Sequence, residues 1–259
     1  MLMQDKVVMV AGVGSGMGRH IALAAAREGA DVVLAARTAA QLDEVAKEVG
    51  ALGRRALTVP CDLTDPATAE RLATAALEEF GRVDAMVYNA LAMPPIEGFG
   101  TVPLEALSTA FDANVLAALR LTRQLIPALA ENKGSVVMVG SMVQRFSEVS
   151  MGPYKLIKTA LHVTAQNLAA EYGPLGVRFN TVVPGQIWGD TLRGYFGYLA
   201  QQRGDVTVED IYNEVAAKIN LRRLPEEDEV ADAVLFLISD LARAVTGQAL
   251  DVNGGEYHH

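Results

Sequence analysis

Residues 6–19 read KVVMVAGVGSGMGR, an apolar run that passes through alternating glycines into an alanine-rich stretch at 21–26. This order predicts a β-strand, a tight turn and an α-helix, since glycine permits the sharp turn. Glycines also let bare backbone N–H groups approach an anion at the helix N-terminus, where the helix dipole favours negative charge. The stretch therefore predicts a phosphate-binding turn, although turns after strands also use glycine for conformational reasons alone. No Gly-Lys-Ser/Thr follows, which disfavours a nucleoside-triphosphate loop.

Apolar runs and helical patterns alternate along the rest of the chain. The runs that predict strands are 6–10, 31–36, 55–59, 83–88, 134–140, 177–183 and 249–252. Such alternation is typical of a doubly wound parallel α/β sheet with helices on both faces. Ligands bind such sheets beyond the carboxyl ends of the strands. The residues that directly follow predicted strands, and are expected to gather there, are Gly12, Asp62, Asn89, Ser141 and Pro184.

Length and composition limit the function classes. A chain of 259 residues with 51% hydrophobic content is expected to form one domain over 1–259. The net charge of -9 disfavours nucleic-acid binding. A single cysteine, Cys61, and the lack of a long apolar segment predict a cytoplasmic protein with a small-molecule ligand and no membrane partner. His20 and His162 lack partners at metal-ligand spacing, so no metal is expected.

Tyr154 and Lys158 are four residues apart in a predicted helix and therefore share a face. A nearby cation favours the ionised form of a phenol, which would make Tyr154 a proton donor and acceptor. Taken alone, the pair is equally compatible with a solvated helix face. Ser141, after an apolar strand, and Asn114, on an upstream helix, are candidate partners.

Together these motifs resemble the short-chain dehydrogenase/reductase family over essentially the whole chain. The family's Thr-Gly-x-x-x-Gly-x-Gly matches residues 11–18, with Ala11 in place of threonine, and its Tyr-x-x-x-Lys matches Tyr154 and Lys158. The remaining matches are the serine thirteen positions before the tyrosine (Ser141), the helix asparagine (Asn114) and the Pro-Gly pair (Pro184-Gly185). The resemblance implies a single-domain Rossmann-type fold and an NAD(P)-dependent oxidoreductase that interconverts a ketone and a secondary alcohol.

The resemblance also implies roles for the catalytic residues. Tyr154 would exchange a proton with the substrate oxygen, and Ser141 would donate a hydrogen bond to that oxygen. Lys158 would lower the pKa of Tyr154 and hold the nicotinamide ribose, and Asn114 would anchor a water leading to Lys158. The implied cofactor contacts, besides Tyr154 and Lys158, are Gly12, Gly14, Ser15, Gly16, Met17, Gly18, Asp62, Leu63, Asn89, Pro184, Gly185, Ile187 and Thr191.

Three positions limit this transfer of roles. Leu91 stands where the family has a glycine after the fourth strand, which puts the path of that loop in doubt. Gly189 stands where the family has a threonine that contacts the nicotinamide carboxamide, so Thr191 is expected to substitute. Asp62, expected near the adenine, is equally suited to a turn or helix cap.

The end of the second strand bears on the choice of cofactor. An acid there would bind the ribose 2′-hydroxyl of NAD and repel a 2′-phosphate, whereas an arginine can hold the phosphate. This chain has Ala36 followed by Arg37, which favours NADP(H), with NAD(H) as the alternative. Arg37 could instead be an ordinary exposed arginine.

Apolar residues after Pro184 suggest the substrate. The resemblance places a substrate lid at about 186–224, and the predicted substrate contacts are Met142, Trp188, Tyr195 and Phe196. Such side chains predict a bulky lipophilic ketone or alcohol that is cyclic, steroid-like or terpenoid. The same residues could instead pack the lid onto the body or onto another subunit.

Other functions remain open at this stage. A non-catalytic dinucleotide sensor or scaffold could use the same fold. A methyltransferase would need an acid near Ala36, and an enoyl reductase usually has a wider Tyr–Lys separation.

Small apolar residues in the helical stretches 103–130 and 152–172 predict a homodimer or homotetramer, unless the chain's own sheet covers them.

Overall fold

A computed structural model describes residues 1–258 of the chain and contains a seven-stranded, fully parallel sheet. The strands are β1 (Val7–Ala11), β2 (Asp31–Ala36), β3 (Ala56–Pro60), β4 (Ala85–Tyr88), β5 (Ser135–Val139), β6 (Arg178–Pro184) and β7 (Ala249–Val252). Their order in the sheet is β3-β2-β1-β4-β5-β6-β7. The predicted doubly wound α/β fold is therefore confirmed, and each strand lies within two residues of its predicted ends.

The helices cover both faces of this sheet. They are α1 (Met17–Arg27), α2 (Ala39–Ala51), α3 (Thr68–Phe80), α4 (Leu104–Phe111), α5 (Ala117–Asn132), α6 (Gly152–Tyr172), α7 (Asp190–Arg203), α8 (Val208–Ala216) and α9 (Glu227–Ile238). The predicted helical stretch 103–130 is not one regular helix, because a π-helical segment, Asp112–Leu116, separates α4 from α5. Such segments are rare and often occur at functional sites.

Alternation along the central strands builds two hydrophobic layers. Val8 and Val10 of β1 face one side, where they pack with α1, α2 and α9. Val7 and Met9 face the other side, where α3, α5 and α6 cover the sheet. Successive side chains of a strand point to opposite faces, so a strand covered on both faces must be apolar throughout, as β1 is. Because both faces of these strands are buried, they occur in the sequence as continuous apolar runs.

The order of strands changes direction between β1 and β4, which creates a crevice at their carboxyl ends. β1 pairs with both β2 and β4, and Ala11 lies level with Ala35 and Tyr88. The turns after these three strands consequently open at the same edge of the sheet. Open α/β sheets bind ligands at this kind of switch point.

Residues 186–224 form a small subassembly beside the sheet. Helices α7 and α8 pack on each other around a hydrophobic cluster of their own. The cluster's buried members are Phe196, Ile211, Ala216, Ile219 and Leu224.

Among residues 1–258, no helix is long and apolar enough to cross a membrane.

Candidate active site

The turn after β1 has the geometry that its glycines predicted. Gly12 has a φ of 98°, and a Cβ there would lie 2.4 Å from the backbone nitrogen of Ala90. A Cβ on Gly18 would lie 2.4 Å from the carbonyl oxygen of Gly12. The Asn89 amide donates a hydrogen bond of 2.7 Å to the same carbonyl, which ties the turn to the end of β4. Only glycine fits these two positions, so the close approach of backbone to ligand is built into the fold.

Helix α1 begins directly beyond this turn. Its N-cap is Gly16, and no side chain caps the helix. The first N–H groups of a helix have no partner within the helix, and an anion can satisfy them. Gly14, Ser15 and Met17 lie in or directly beyond this turn, and their contacts with a cofactor stay a prediction.

A cleft of about 470 Å³ runs from the glycine turn across the ends of β2, β3 and β4. Its volume lies within the usual range for small-molecule sites. Six of the predicted cofactor residues line it, namely Gly12, Gly14, Arg37, Asp62, Leu63 and Asn89. The sequence reading missed Thr38, Gln41, Ala92 and Met93, which also line the cleft. Their position just after β2 and β4 was the only available signal.

Two residues of this cleft decide its charge. Asp62 accepts hydrogen bonds of 2.9 and 2.8 Å from the backbone N–H and the hydroxyl of Thr64, which lower the pKa of its carboxyl. It is thus a turn residue and a cleft residue at once. Arg37 is exposed and follows Ala36, so the end of β2 carries a cation and no acid.

Ser141, Tyr154 and Lys158 come together at the carboxyl end of β5. The Ser141 oxygen accepts a hydrogen bond of 3.3 Å from the backbone N–H of Val143, and its hydroxyl lies close enough to the Tyr154 phenol to act on its pKa. The Lys158 ammonium donates a bond of 2.8 Å to the carbonyl of Val139 and lies 5.9 Å from the centre of the Tyr154 ring. One turn of α6 therefore places the phenol and the ammonium on the same face.

Burial dominates the proton affinities of this group. It lowers the pKa of the Lys158 ammonium to about 8. It also raises the pKa of the Tyr154 phenol, and the neighbouring Ser141 hydroxyl opposes that rise. We expected Lys158 to lower the pKa of Tyr154. The structure differs because loss of water around the phenol outweighs the other contributions from the protein.

Asn114 is fixed by side-chain hydrogen bonds to the loop after β4 and to its own helix. It is buried in the π-helical segment, and its amide nitrogen donates bonds of 2.7 Å to the carbonyls of Ala92 and Ala110. Its oxygen accepts a bond of 3.2 Å from the backbone N–H of Ala92. With both N–H donors engaged, the side chain clamps the loop after β4 to the helix. Its part in anchoring a water toward Lys158 stays a prediction. This clamp also fixes the loop that follows the exposed Leu91.

The predicted cofactor contacts after β6 are not among the residues that line the cleft. The N–H of Gly185 donates to the carbonyl of Val252, and that of Trp188 donates to the carbonyl of Pro225. Pro184 is buried and Ile187 is partly buried against the core below α1. Thr191 lies exposed in the first turn of α7.

The predicted substrate residues divide into two groups. Phe196 is 2% exposed and packs with Trp188 inside the lid cluster, with ring centres 5.6 Å apart. It is therefore part of the lid's own core, which agrees with the alternative that these residues pack the lid, and its contact with a substrate stays a prediction. Trp188 is also largely covered, by Tyr212 and Arg193. Tyr195 is 54% exposed, and Met142 is partly buried beside Ser141.

Comparison with known proteins agrees with this geometry. Residues 12–257 match the sequence model of the family described as Enoyl-(Acyl carrier protein) reductase. The chain is 32% identical to L-rhamnose 1-dehydrogenase (NAD(P)(+)) of Sphingomonas sp. (strain SKA58), over 99% of this chain and 98% of the relative. It is 30% identical to 7alpha-hydroxysteroid dehydrogenase of Escherichia coli (strain K12), over 98% and 94% of the two chains.

The fold is also shared with solved structures. Carveol dehydrogenase from Mycobacterium avium in complex with NAD superposes with a TM-score of 0.90, at 25% identity and 98% coverage of both chains. The glycine turn, the cleft at the switch point and the relatives lead to the same family. The chain belongs to the short-chain dehydrogenase/reductase family of NAD(P)-dependent oxidoreductases that act on alcohols and ketones.

Proposed function

We propose that this chain is an NADP(H)-preferring oxidoreductase that interconverts a bulky, lipophilic ketone and a secondary alcohol, with Tyr154 as the acid and base. The observation that carries the proposal is the closeness of Tyr154 to Ser141 and to the buried ammonium of Lys158, which lies 5.9 Å from the centre of the phenol ring. These groups lie at the sheet edge that also holds the glycine turn. Carbonyl reduction needs a proton donor and a hydrogen-bond donor aimed at one oxygen.

The residues of the cleft fit a dinucleotide. Gly12 and Gly18 leave no room for a Cβ, and α1 has no side-chain cap, so its N–H groups are available to a diphosphate. Tyr154 and Lys158 would hold the nicotinamide ribose, with Ile187 and Thr191 near the carboxamide. When bound, the nicotinamide supplies or accepts the hydride.

The protein's own groups perform the proton chemistry. Because the Val143 N–H occupies a lone pair of the Ser141 oxygen, the serine hydroxyl is oriented to donate. In reduction it stabilises the negative charge that develops on the carbonyl oxygen, and Tyr154 protonates that oxygen. The raised pKa of Tyr154 keeps the phenol protonated near neutral pH, as a donor requires. Lys158 then supports the charge left on the phenolate.

The preference for NADP(H) rests on Arg37 and on the neutral Ala36 before it. Replacing Arg37 with alanine removes the cation nearest to a 2′-phosphate, so we expect the Kd of NADPH to rise about 10- to 100-fold while that of NADH changes less than about twofold. Fluorescence titration measures both constants. Arg27→Ala, an exposed arginine at the other end of α1, serves as the control. Equal affinities of the wild type for the two cofactors would refute the preference.

The lipophilic substrate rests on exposed apolar side chains of the segment after β4 and of the proposed lid. Met93, Phe99 and Tyr195 are each more than half exposed. The Phe99 ring packs against Gly152, two residues before Tyr154, since a Cβ there would lie 2.8 Å from the ring. The names of two relatives, carveol dehydrogenase and 7alpha-hydroxysteroid dehydrogenase, support a cyclic alcohol of this kind.

A sugar is the second candidate substrate, because L-rhamnose 1-dehydrogenase is a relative over almost the whole chain. The deciding experiment compares kcat/KM for carveol, a 7α-hydroxysteroid and L-rhamnose under matched conditions. We expect a cyclic lipophilic alcohol to exceed the sugar at least about tenfold, since each buried methylene contributes about 0.8 kcal/mol. Faster turnover of L-rhamnose would overturn the lipophilic assignment. An enoyl thioester added to the panel tests enoyl reduction.

Assembly and location complete the proposal. Leu116 precedes α5, Leu156 and Val163 lie on α6, and all three are exposed apolar residues in the stretches predicted to join subunits. We infer a homodimer or homotetramer, which light scattering at micromolar concentration tests. A monomer under those conditions would contradict it.

A cytoplasmic location is inferred from the single cysteine, and fractionation of cells that express the protein tests it.

A further inference from the structure

The carboxylate of Glu227 lies where two helices begin. Glu227 is the first residue of α9, and its Oε1 atom lies 2.6 Å from the position that a Cβ on Gly16 would take. The same atom lies 2.5 Å from the position of a Cβ on Gly189. Gly16 is the N-cap of α1 and Gly189 is the N-cap of α7, and neither helix has a side-chain cap. One carboxylate therefore occupies the space between the phosphate turn and the lid helix.

The surroundings of Glu227 contain charges of both signs. His20 of α1 approaches it with 3.5 Å between Nε2 and Oε2. The other charged groups that face it are Arg19 on α1 and Asp190 and Arg193 on α7. Burial raises the pKa of the Glu227 carboxyl, as expected for a carboxylate that is only 22% exposed. Neither the sequence pattern nor the family motif singled out this residue, because it is distant in sequence from both turns.

The position of this carboxylate conflicts with an anionic ligand. The diphosphate of a nicotinamide dinucleotide binds at the N-terminus of the helix after the first strand, which here is the N-terminus of α1. That helix end favours negative charge, and Glu227 already places a negative charge beside it. At a partly buried site, two like charges a few ångströms apart repel each other more strongly than they do in water.

We propose that Glu227 is an affinity-determining residue that weakens the binding of the cofactor diphosphate through its negative charge. Because the Glu227 carboxylate also lies against Gly189, the same charge acts at the point where the lid helix α7 meets the phosphate turn. The proposal requires nicotinamide-dinucleotide binding at α1 and is independent of the preference between NADP(H) and NAD(H).

Calorimetric titration with ADP-ribose tests the proposal, because this ligand carries the diphosphate without nicotinamide or 2′-phosphate. Glu227→Gln removes the charge with little change of shape, and we expect the Kd of ADP-ribose to fall about three- to tenfold. Glu227→Asp retains the charge and is expected to stay within about twofold of the wild type. Asp232→Asn removes an exposed charge from the same helix and is expected to change the Kd less than about twofold.

A second ligand locates the effect. The nucleotide 2′-AMP has no 5′-diphosphate, so its Kd is expected to be equal in the wild type and in Glu227→Gln. An unchanged or increased Kd of ADP-ribose in Glu227→Gln would overturn the proposal. So would equal tightening in Glu227→Asp, which would indicate side-chain size, or equal tightening for 2′-AMP, which would indicate a general charge effect. Failure of the wild type to bind ADP-ribose at all would instead refute the cofactor site.

Discussion

The catalytic edge and the lid are built in opposite ways. At the catalytic edge, backbone groups of the sheet and its loops hold polar side chains, as Val139 holds Lys158 and Ala92 holds Asn114. The lid, residues 186–224, is held by its own apolar cluster around Phe196. The proposed catalytic residues are thus anchored to the sheet, whereas the proposed substrate lid packs around a cluster of its own. Such a unit can open without disturbing the catalytic group.

The largest expected effect is at the catalytic edge. Tyr154→Phe removes the proton donor while it preserves the ring, so we expect kcat to fall about 10³-fold and the Kd of the cofactor to change less than about threefold. Steady-state kinetics and fluorescence titration measure the two quantities. Tyr198→Phe, on an exposed face of the lid, is the matched control. Full turnover by Tyr154→Phe would favour another donor or the non-catalytic alternative.

The next effect is at the centre of the lid. Phe196→Ala leaves a cavity among Ile211, Ile219 and Leu224 and is expected to destabilise the lid by about 3 kcal/mol. If the lid is a separate unit, hydrogen exchange will rise in 186–224 and remain unchanged in β5. KM for the substrate is expected to rise while cofactor affinity is kept. Exchange that rises equally in both regions would show that the two regions unfold together.

A smaller effect is expected from the clamp on the loop after β4. Asn114→Ala removes three hydrogen bonds, and we expect the free energy of unfolding to fall by about 2 kcal/mol. Chemical denaturation measures this loss. Asn167→Ala, which removes one exposed bond on α6, is the control and should cost less than about 1 kcal/mol. Equal losses in the two variants would contradict the role of Asn114 as a clamp.

The smallest effect concerns the pH dependence of the catalytic edge. Burial places the pKa of Lys158 near 8, so the ammonium is charged below that pH and neutral above it. We expect kcat/KM for ketone reduction to fall as pH rises through about 8, since the charge that supports the phenolate is lost. In Lys158→Arg the guanidinium stays charged, so the fall should move to higher pH.

The matched control for this pH dependence is Lys47→Arg, on the exposed face of α2, which should leave the profile unchanged. A wild-type profile that is flat between pH 7 and 9 would show that Lys158 does not control the proton step. The pH-rate curve reports the coupled Tyr154–Lys158 pair rather than either residue alone.

The sequence by itself determined the sheet, the glycine turn and the Tyr154–Lys158 pair. Each depends on residues that are close together in the chain. The strands are apolar runs of four to seven residues, the turn needs a positive φ that glycine tolerates at position 12, and residues four apart share a helix face. Such local constraints can be read from the order of residue types. The family match then extended this reading to Ser141, which the structure places against Tyr154 as expected.

Only the tertiary structure decided the clamp made by Asn114, the burial of Phe196 and the position of Glu227. These depend on groups far apart in the chain, such as Glu227 against Gly16, and on which of several apolar faces a helix buries. The pKa of Tyr154 belongs here too, because the balance between a nearby ammonium and the loss of water depends on depth of burial. The pattern of residue types in the sequence limits which contacts are possible, and packing in three dimensions determines which of these contacts form.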